Sequence, residues 1–179
     1  MVKREEDKKK QTQITAYVGL GSNLGDRKTN LQHALAILPD YGCDLIRASS
    51  IYETEPQGDP DQTWFVNQVV QLNCPADLSP DLFLFWLLEI ENKLGRTRDH
   101  KRRFSPRLID LDLLIFGNCI SGHETSSDLI LPHPRLKERA FVLVPLQEIC
   151  PGIILPDGLS VEELLKELPH KVIGYRIYQ

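Results

Sequence analysis

Asp110 and Asp112, inside "RLIDLDLLIF" (107–116), are the residues of this chain whose type and spacing most directly suggest chemistry. On a strand, side chains two apart share a face, about 6.6 Å apart at Cα, so one face reads Asp110, Asp112, Leu114, Phe116. The other face reads Ile109, Leu111, Leu113, Ile115 and is core. Two neighbouring carboxylates repel, and burial makes the repulsion worse. The pair is tolerable at a solvated strand end, beside arginines, or around a divalent cation. Mg²⁺ in particular takes one or two carboxylates and completes its octahedron with phosphate and water oxygens.

The residues just before the pair are basic. "RTRDHKRRFSPR" (96–107) carries six Lys/Arg against one Asp, while the whole chain has a formal charge of −4. A nucleic-acid binder is ordinarily basic throughout. Here the positive charge is concentrated in one loop, which suits a small, highly charged anion. Arg96, Arg98 and Arg107 are candidates for charge-assisted bonds to phosphate oxygens. Carboxylate-bound metal with arginines is a recurring division of labour in phosphoryl transfer. A solvated charge run with local Arg–Asp pairs is the plainer alternative.

"GLGSNLG" (19–25) is G-x-G-x-x-x-G and lacks the dinucleotide fingerprint, and there is no G-x-x-x-x-G-K-[ST]. Gly19, Gly21 and Ser22 suit a strand-to-loop turn where the backbone comes close to a ligand. "WFVNQ" puts Phe65 and Asn67 on one strand face, Phe104 lies in the basic loop, and Phe141 follows "RLKERA". Aromatic rings can sandwich a flat heterocycle whose edge an asparagine amide reads, although any one ring can equally be core. His133 in "LPHPR" suits a loop-fixing role, and Glu91 reads as a solvated helix face.

The elements that must position these groups follow from pattern. Strands are predicted over 14–22, 44–54 and 64–74 and through the D-x-D run. Helices are predicted over 26–38, capped by Asp26, and over 79–95, where Ser79 caps, Pro80 opens and Gly95 ends. Residues 55–63 are a Pro/Gly/Asp loop. Residues 133–149 begin as a loop and become helix, and 159–168 form a short closing helix. The order β-α-β-β-α-β predicts an α+β, ferredoxin-like fold. In it an antiparallel sheet carries helices on one face, leaves the other face free, puts the D-x-D strand at an edge, and has C-terminal additions.

Length and composition (179 residues, 41% hydrophobic) predict one domain over 14–179, and "MVKREEDKKKQTQ" (1–13) reads as a disordered extension. The four cysteines form no C-x-x-C and the five histidines have no zinc spacing, so reduced thiols and a cytoplasmic setting are expected. The longest apolar run, 82–88, is too short for a bilayer.

Taken together, "GLGSNLGDR", "SSIYETEP", "WFVNQVV", "LGRTR", "PRLIDLDLLIFG" and "LPHPRLKERAFVLVPLQEI.P" resemble the 6-hydroxymethyl-7,8-dihydropterin pyrophosphokinases of folate biosynthesis, in order over about 14–157. The resemblance implies transfer of pyrophosphate from ATP, the co-substrate, to the pterin hydroxymethyl group, releasing AMP. It implies two Mg²⁺ on Asp110 and Asp112, with Arg96 and Arg107 completing the catalytic set. It places Glu91, Arg98, Leu113, His133 and Arg139 with ATP. It places Thr54, Phe65, Asn67, Phe104, Asp110 and Phe141 with the pterin. The family's usual Trp-Gly is Phe104-Ser105 here, and the loop is about one residue longer, so the pairing of Lys101, Arg102 and Arg103 with family positions is left open. Asp128 stands where some members have a basic residue. No nucleic-acid or membrane partner is implied. A ferredoxin-like RNA-binding module, the reading from another class, would need an aromatic stacking signature that the chain lacks.

Overall fold

Two helices begin where a polar side chain caps them. Asp26 accepts from the backbone N–H and the hydroxyl of Thr29, and α1 spans Arg27–Ile37. Ser79 accepts from Leu82 N, Pro80 occupies the first turn, and α2 spans Pro80–Lys93; Gly95, at φ +86°, turns the chain away. The computed structural model describes residues 13–56, 62–95, 106–120 and 129–179.

The strands are β1 (Ile14–Ser22), β2 (Asp44–Ala48), β3 (Tyr52–Thr54), β4 (Phe65–Cys74), β5 (Asp110–Phe116), β6 (Lys171–Ile173) and β7 (Arg176–Tyr178). Two more helices, α3 (Ala140–Ile149) and α4 (Val161–Glu167), follow β5. All the strands belong to one sheet, in the order β5-β1-β4-β3-β7-β6, with β2 also on β4. The molecule is therefore α+β, with β5 at an edge and β1 between β5 and β4.

Four expectations need correction. The strand expected over 44–54 is two strands. At the break, Ser49 Oγ accepts from Val69 N, and the Glu148 carboxylate takes the N–H and hydroxyl of Ser50. These side-chain bonds replace ladder bonds.

The sheet is mixed and not antiparallel throughout, because β7 runs parallel to β3, pairing Glu53 with Arg176 and Thr54 with Ile177. The hairpin β6–β7, turned by Gly174 at φ +56°, was not expected at all.

Helices cover both faces. On the first face, α1 and α2 bury Leu31, Ala34, Phe83, Leu87 and Ile90 against Val18, Leu20, Val70 and Leu111. On the second, Val142, Leu143 and Leu146 of α3 pack with Tyr17, Val69, Leu114 and Ile115. Among the described residues, α3 covers the second face away from the Asp110 end.

The simple alternation along β5 also fails. The β1–β5 register slips between Tyr17, opposite Ile115, and Val18, opposite Leu113, so Leu114 is an extra residue. Beyond it the faces exchange. Ile115 joins the α3 side, and Phe116 reaches the α2 side, where its ring centroid is 5.9 Å from that of Phe83. Asp110 and Asp112 precede the slip and keep the shared face predicted for them. All four cysteines are free thiols. No helix among the described residues is long and apolar enough to cross a membrane.

Candidate active site

Glycine creates the space at the site. Gly19 and Gly21 point to the second face of β1, between the aspartates of β5 and the polar side of β4. Across the strands, Tyr52, Asn67, Gly21 and Asp110 form one row, and Val69, Gly19 and Asp112 form another. With no side chain on the middle strand, each row has a trough. At Gly21 the walls are close: a Cβ there would lie 3.0 Å from Asn67 Oδ1 and 3.9 Å from Asp110 Cβ. Both glycines lie within β1 and not in a turn.

Each aspartate is held by an arginine, and each arginine lies over an aromatic ring. Arg107 Nη1 donates to Asp110 Oδ2 at 2.6 Å, and its guanidinium carbon is 5.9 Å from the centre of Phe65. Arg139 Nη1 donates to Asp112 Oδ2 at 3.0 Å, and its guanidinium carbon is 5.4 Å from the centre of Phe141. The aspartate side chains are 23% and 34% exposed, so both pairs remain reachable from solvent. Of the three ways to tolerate adjacent carboxylates, pairing with arginine is the one seen in this structure.

His133 follows the cis Leu131–Pro132 bond, and its backbone N–H donates to Leu114 O. Its Nδ1 accepts from Arg135 N at 3.1 Å, which in the neutral ring leaves the proton on Nε2. That Nε2 is 4.0 Å from Asp112 Oδ1. Burial pushes the imidazole pKa down, against the pull of Asp112. The ring is thus both a loop-fixing group and a neighbour of the acidic pair.

Asn67 and Thr54 form the opposite wall. Asn67 Nδ2 donates to Thr54 Oγ1 at 2.6 Å, which leaves Oδ1 over Gly21 as an acceptor facing the trough. Glu91, expected on a solvated face, is 1% exposed beneath the edge of β5, where Oε1 accepts from Leu111 N at 2.7 Å. An edge strand presents unpaired N–H groups, and this carboxylate covers one of them. Leu113 has its side chain in the helix-side core, so only its backbone is available to a ligand. Arg96, Arg98 and Phe104, with Lys101, Arg102, Arg103 and Asp128, lie outside the described residues.

One residue at the site was not singled out from the sequence. Asn23 is 2% exposed; it accepts from Arg107 N through Oδ1 at 2.7 Å and donates its own N–H to Arg107 O. Its Nδ2 donates to Gln62 Oε1 at 3.3 Å. It ties the start of the D-x-D segment to the segment before β4. Its signal was a small amide side chain directly after the strand in "GLGSNLG".

Arginines that grip carboxylates can exchange them for phosphate oxygens, an arrangement that suits the phosphoryl- and pyrophosphoryl-transfer class of proteins. Within that class the chain belongs to the 7,8-dihydro-6-hydroxymethylpterin-pyrophosphokinase (HPPK) family, whose model matches residues 17–151. It is 47% identical over 136 residues to the 2-amino-4-hydroxy-6-hydroxymethyldihydropteridine pyrophosphokinase of Bacillus subtilis, covering 75% of this chain and 77% of that protein. To the Haemophilus influenzae protein of the same name it is 41% identical over 162 residues, covering 89% and 97%. Among solved structures, wild-type Plasmodium falciparum HPPK-DHPS with STZ-DHP shares the fold, with a TM-score of 0.66 at 15% identity over 89% of this chain and 44% of that longer one.

Proposed function

We propose that this chain transfers the terminal pyrophosphoryl group of ATP to the hydroxymethyl oxygen of 6-hydroxymethyl-7,8-dihydropterin. The pterin oxygen bonds to the β-phosphorus, the bond from that phosphorus to the bridging α–β oxygen breaks, AMP leaves, and the hydroxyl proton is released. The observation that carries this reading is the pair of Asp–Arg contacts standing on the same sheet face as Asn67, in a chain of this family.

The residues fit Mg²⁺. Asp110 and Asp112 offer hard oxygen donors on one strand face, a set that suits an ion completed by polyphosphate and water. Asp110 and Asp112 would hold two such ions, whose chemistry is to neutralise charge on the phosphate oxygens. The protein's own groups do the rest. Arg107 and Arg139 turn from carboxylate to phosphate, and the turn uncovers Phe65 and Phe141 for a flat ring. Asn67, oriented by Thr54, presents Oδ1 to the amino and ring N–H donors of the pterin. His133 and the backbone at Leu113 line the nucleotide side, with Glu91 bracing the strand from below. Arg96, Arg98 and Phe104 are assigned to the phosphates, the nucleotide and the pterin on the resemblance alone.

The strand order β5-β1-β4, with β2 and β3 beyond β4, supports a ferredoxin-like core. We take 14–179 as one domain, since β7 shares the sheet with β1. An ATP-dependent reaction and free thiols suit the cytoplasm. The test is to incubate the chain with ATP, Mg²⁺ and the pterin and to analyse the products. AMP and pterin pyrophosphate in equal amounts are expected, whereas ADP, or no pterin-dependent turnover, refutes the proposal.

A further inference from the structure

Arg139, which holds Asp112, has its backbone gripped by a residue forty positions further along the chain. It lies between the short 3-10 turn Leu136–Glu138 and α3, in extended conformation at φ −117° and ψ 102°. In extended backbone the carbonyl before a residue and the N–H after it point to the same side. The amide of Gln179 spans that pair: Oε1 accepts from Ala140 N at 2.7 Å, and Nε2 donates to Glu138 O. One side chain thus reproduces a rung of antiparallel ladder around Arg139, using the acceptor and donor that only an amide combines. It also satisfies an N–H at the start of α3, where Arg139 provides no side-chain cap.

Arg139 Nε is buried with no hydrogen-bond partner among the described residues, so the contacts that direct the group are Nη1 to Asp112 and the ring of Phe141. Gln179 reaches the place because β7 pairs with β3 and Tyr178 packs edge-on against Trp64 with centroids 5.5 Å apart. This hairpin lies beyond the family match at 17–151.

We infer that Gln179 is a positioning residue for the reaction: its amide fixes the backbone on both sides of Arg139 so that the guanidinium faces Asp112 and the polyphosphate. The inference rests on the role proposed above for Arg139, and the experiment separates the two.

Steady-state kinetics on the full chain compare Gln179→Ala, Gln179→Glu, Arg139→Ala and the double variant Arg139→Ala/Gln179→Ala, with Tm measured for each. Gln179→Ala is expected to lower kcat/KM for ATP about tenfold, the scale of two lost hydrogen bonds. Gln179→Glu keeps an acceptor for Ala140 N–H but sets a carboxylate against Glu138 O. Helix capping alone would leave that variant at wild-type activity wherever it is fully folded, whereas positioning requires a similar loss of kcat/KM at a temperature where Tm shows the variant to be folded. In the Arg139→Ala background, Gln179→Ala should cost less than about twofold, because the group it positions is gone. Equal losses in both backgrounds, wild-type activity in Gln179→Glu, or wild-type activity in Gln179→Ala overturn the inference. If Gln179→Ala does not fold, Gln179→Glu decides. Wild-type kcat/KM in Arg139→Ala refutes the role of Arg139 itself, whatever Gln179 does.

Discussion

Gly21→Ala should weaken pterin use and leave ATP use almost unchanged. The added Cβ would sit 3.0 Å from Asn67 Oδ1, a few tenths of an ångström inside ordinary carbon–oxygen contact. Asn67 cannot simply swing away, because its Nδ2 is committed to Thr54 Oγ1 at 2.6 Å and the side chain is buried. Turning the amide strains or breaks that bond, at a cost of about 0.5–1.5 kcal/mol. It also misdirects the acceptor aimed at the pterin. At about 1.4 kcal/mol per tenfold, kcat/KM for the pterin should fall roughly three- to tenfold. Stability should change little, because the backbone offsets most of the cost of turning the amide. Gly21 has no positive φ, so alanine fits the backbone and restricts the unfolded chain, a gain of about 0.4–1 kcal/mol. The control is Gly19→Ala, whose Cβ would meet Leu114 at 3.5 Å, an ordinary contact. The assay is AMP release with each substrate varied in turn, with Tm measured alongside. A Gly21→Ala enzyme with unchanged kcat/KM for the pterin, or with its loss confined to the KM for ATP, would refute the placement of the pterin over Gly21.

Asp110→Ala and Asp112→Ala should each reduce turnover at saturating Mg²⁺ by about a hundredfold or more, with far-UV circular dichroism unchanged because both side chains are part-exposed; near-wild-type turnover in either would refute the metal assignment. Arg107→Ala should lower kcat more than it raises the KM for ATP, since donors aimed at growing phosphate charge act in the transition state; a pure KM effect would contradict this. The Tyr52 phenol is pushed up to about 12, first by burial and then by its hydrogen bond to Glu148. Below pH 10 it is neutral folded and unfolded; between pH 10 and 12 the unfolded phenol ionises first, so wild-type stability should fall faster with pH than that of Tyr52→Phe. Parallel urea-denaturation midpoints across that range would refute the shift.

Where a single polar group marked a boundary, sequence reading and structure agree closely. Asp26 and Ser79 start helices, whereas Gly19 and Gly21, expected at a strand-to-loop turn, lie within β1. The extra residue in β5 was invisible because Leu113, Leu114, Ile115 and Phe116 are all apolar, and alternation shows only when one face is polar. The same blindness hid α3's packing on the second face, since a strand buried on both sides looks alike from either. Glu91 was misjudged because a lone acid on a helix is ordinarily solvated; its partner is a backbone N–H, which has no residue-type signal. The hairpin β6–β7 did carry a signal, "KVIGYRIY" with glycine at the turn, but three-residue strands are too short for periodicity to stand out. The candidate site is a meeting of β1, β4, β5 and the segment before α3, and side-chain types alone do not reveal which distant backbones come together.

The parallel pairing of β7 with β3 also orders events during synthesis. Glu53 and Arg176 are 123 residues apart, so this rung of the sheet cannot close until Arg176 has emerged from the ribosome. A nascent chain that has passed β5 can already assemble β5-β1-β4-β3 with α1 and α2 over one face. The Glu138–Ala140 backbone then waits, its carbonyl and N–H unmatched by Gln179, until residues 171–179 have emerged. Folding of the core and completion of the site are therefore separate moments in the life of the chain, and a ribosome stalled between them would hold a largely folded protein whose Arg139 is not yet anchored.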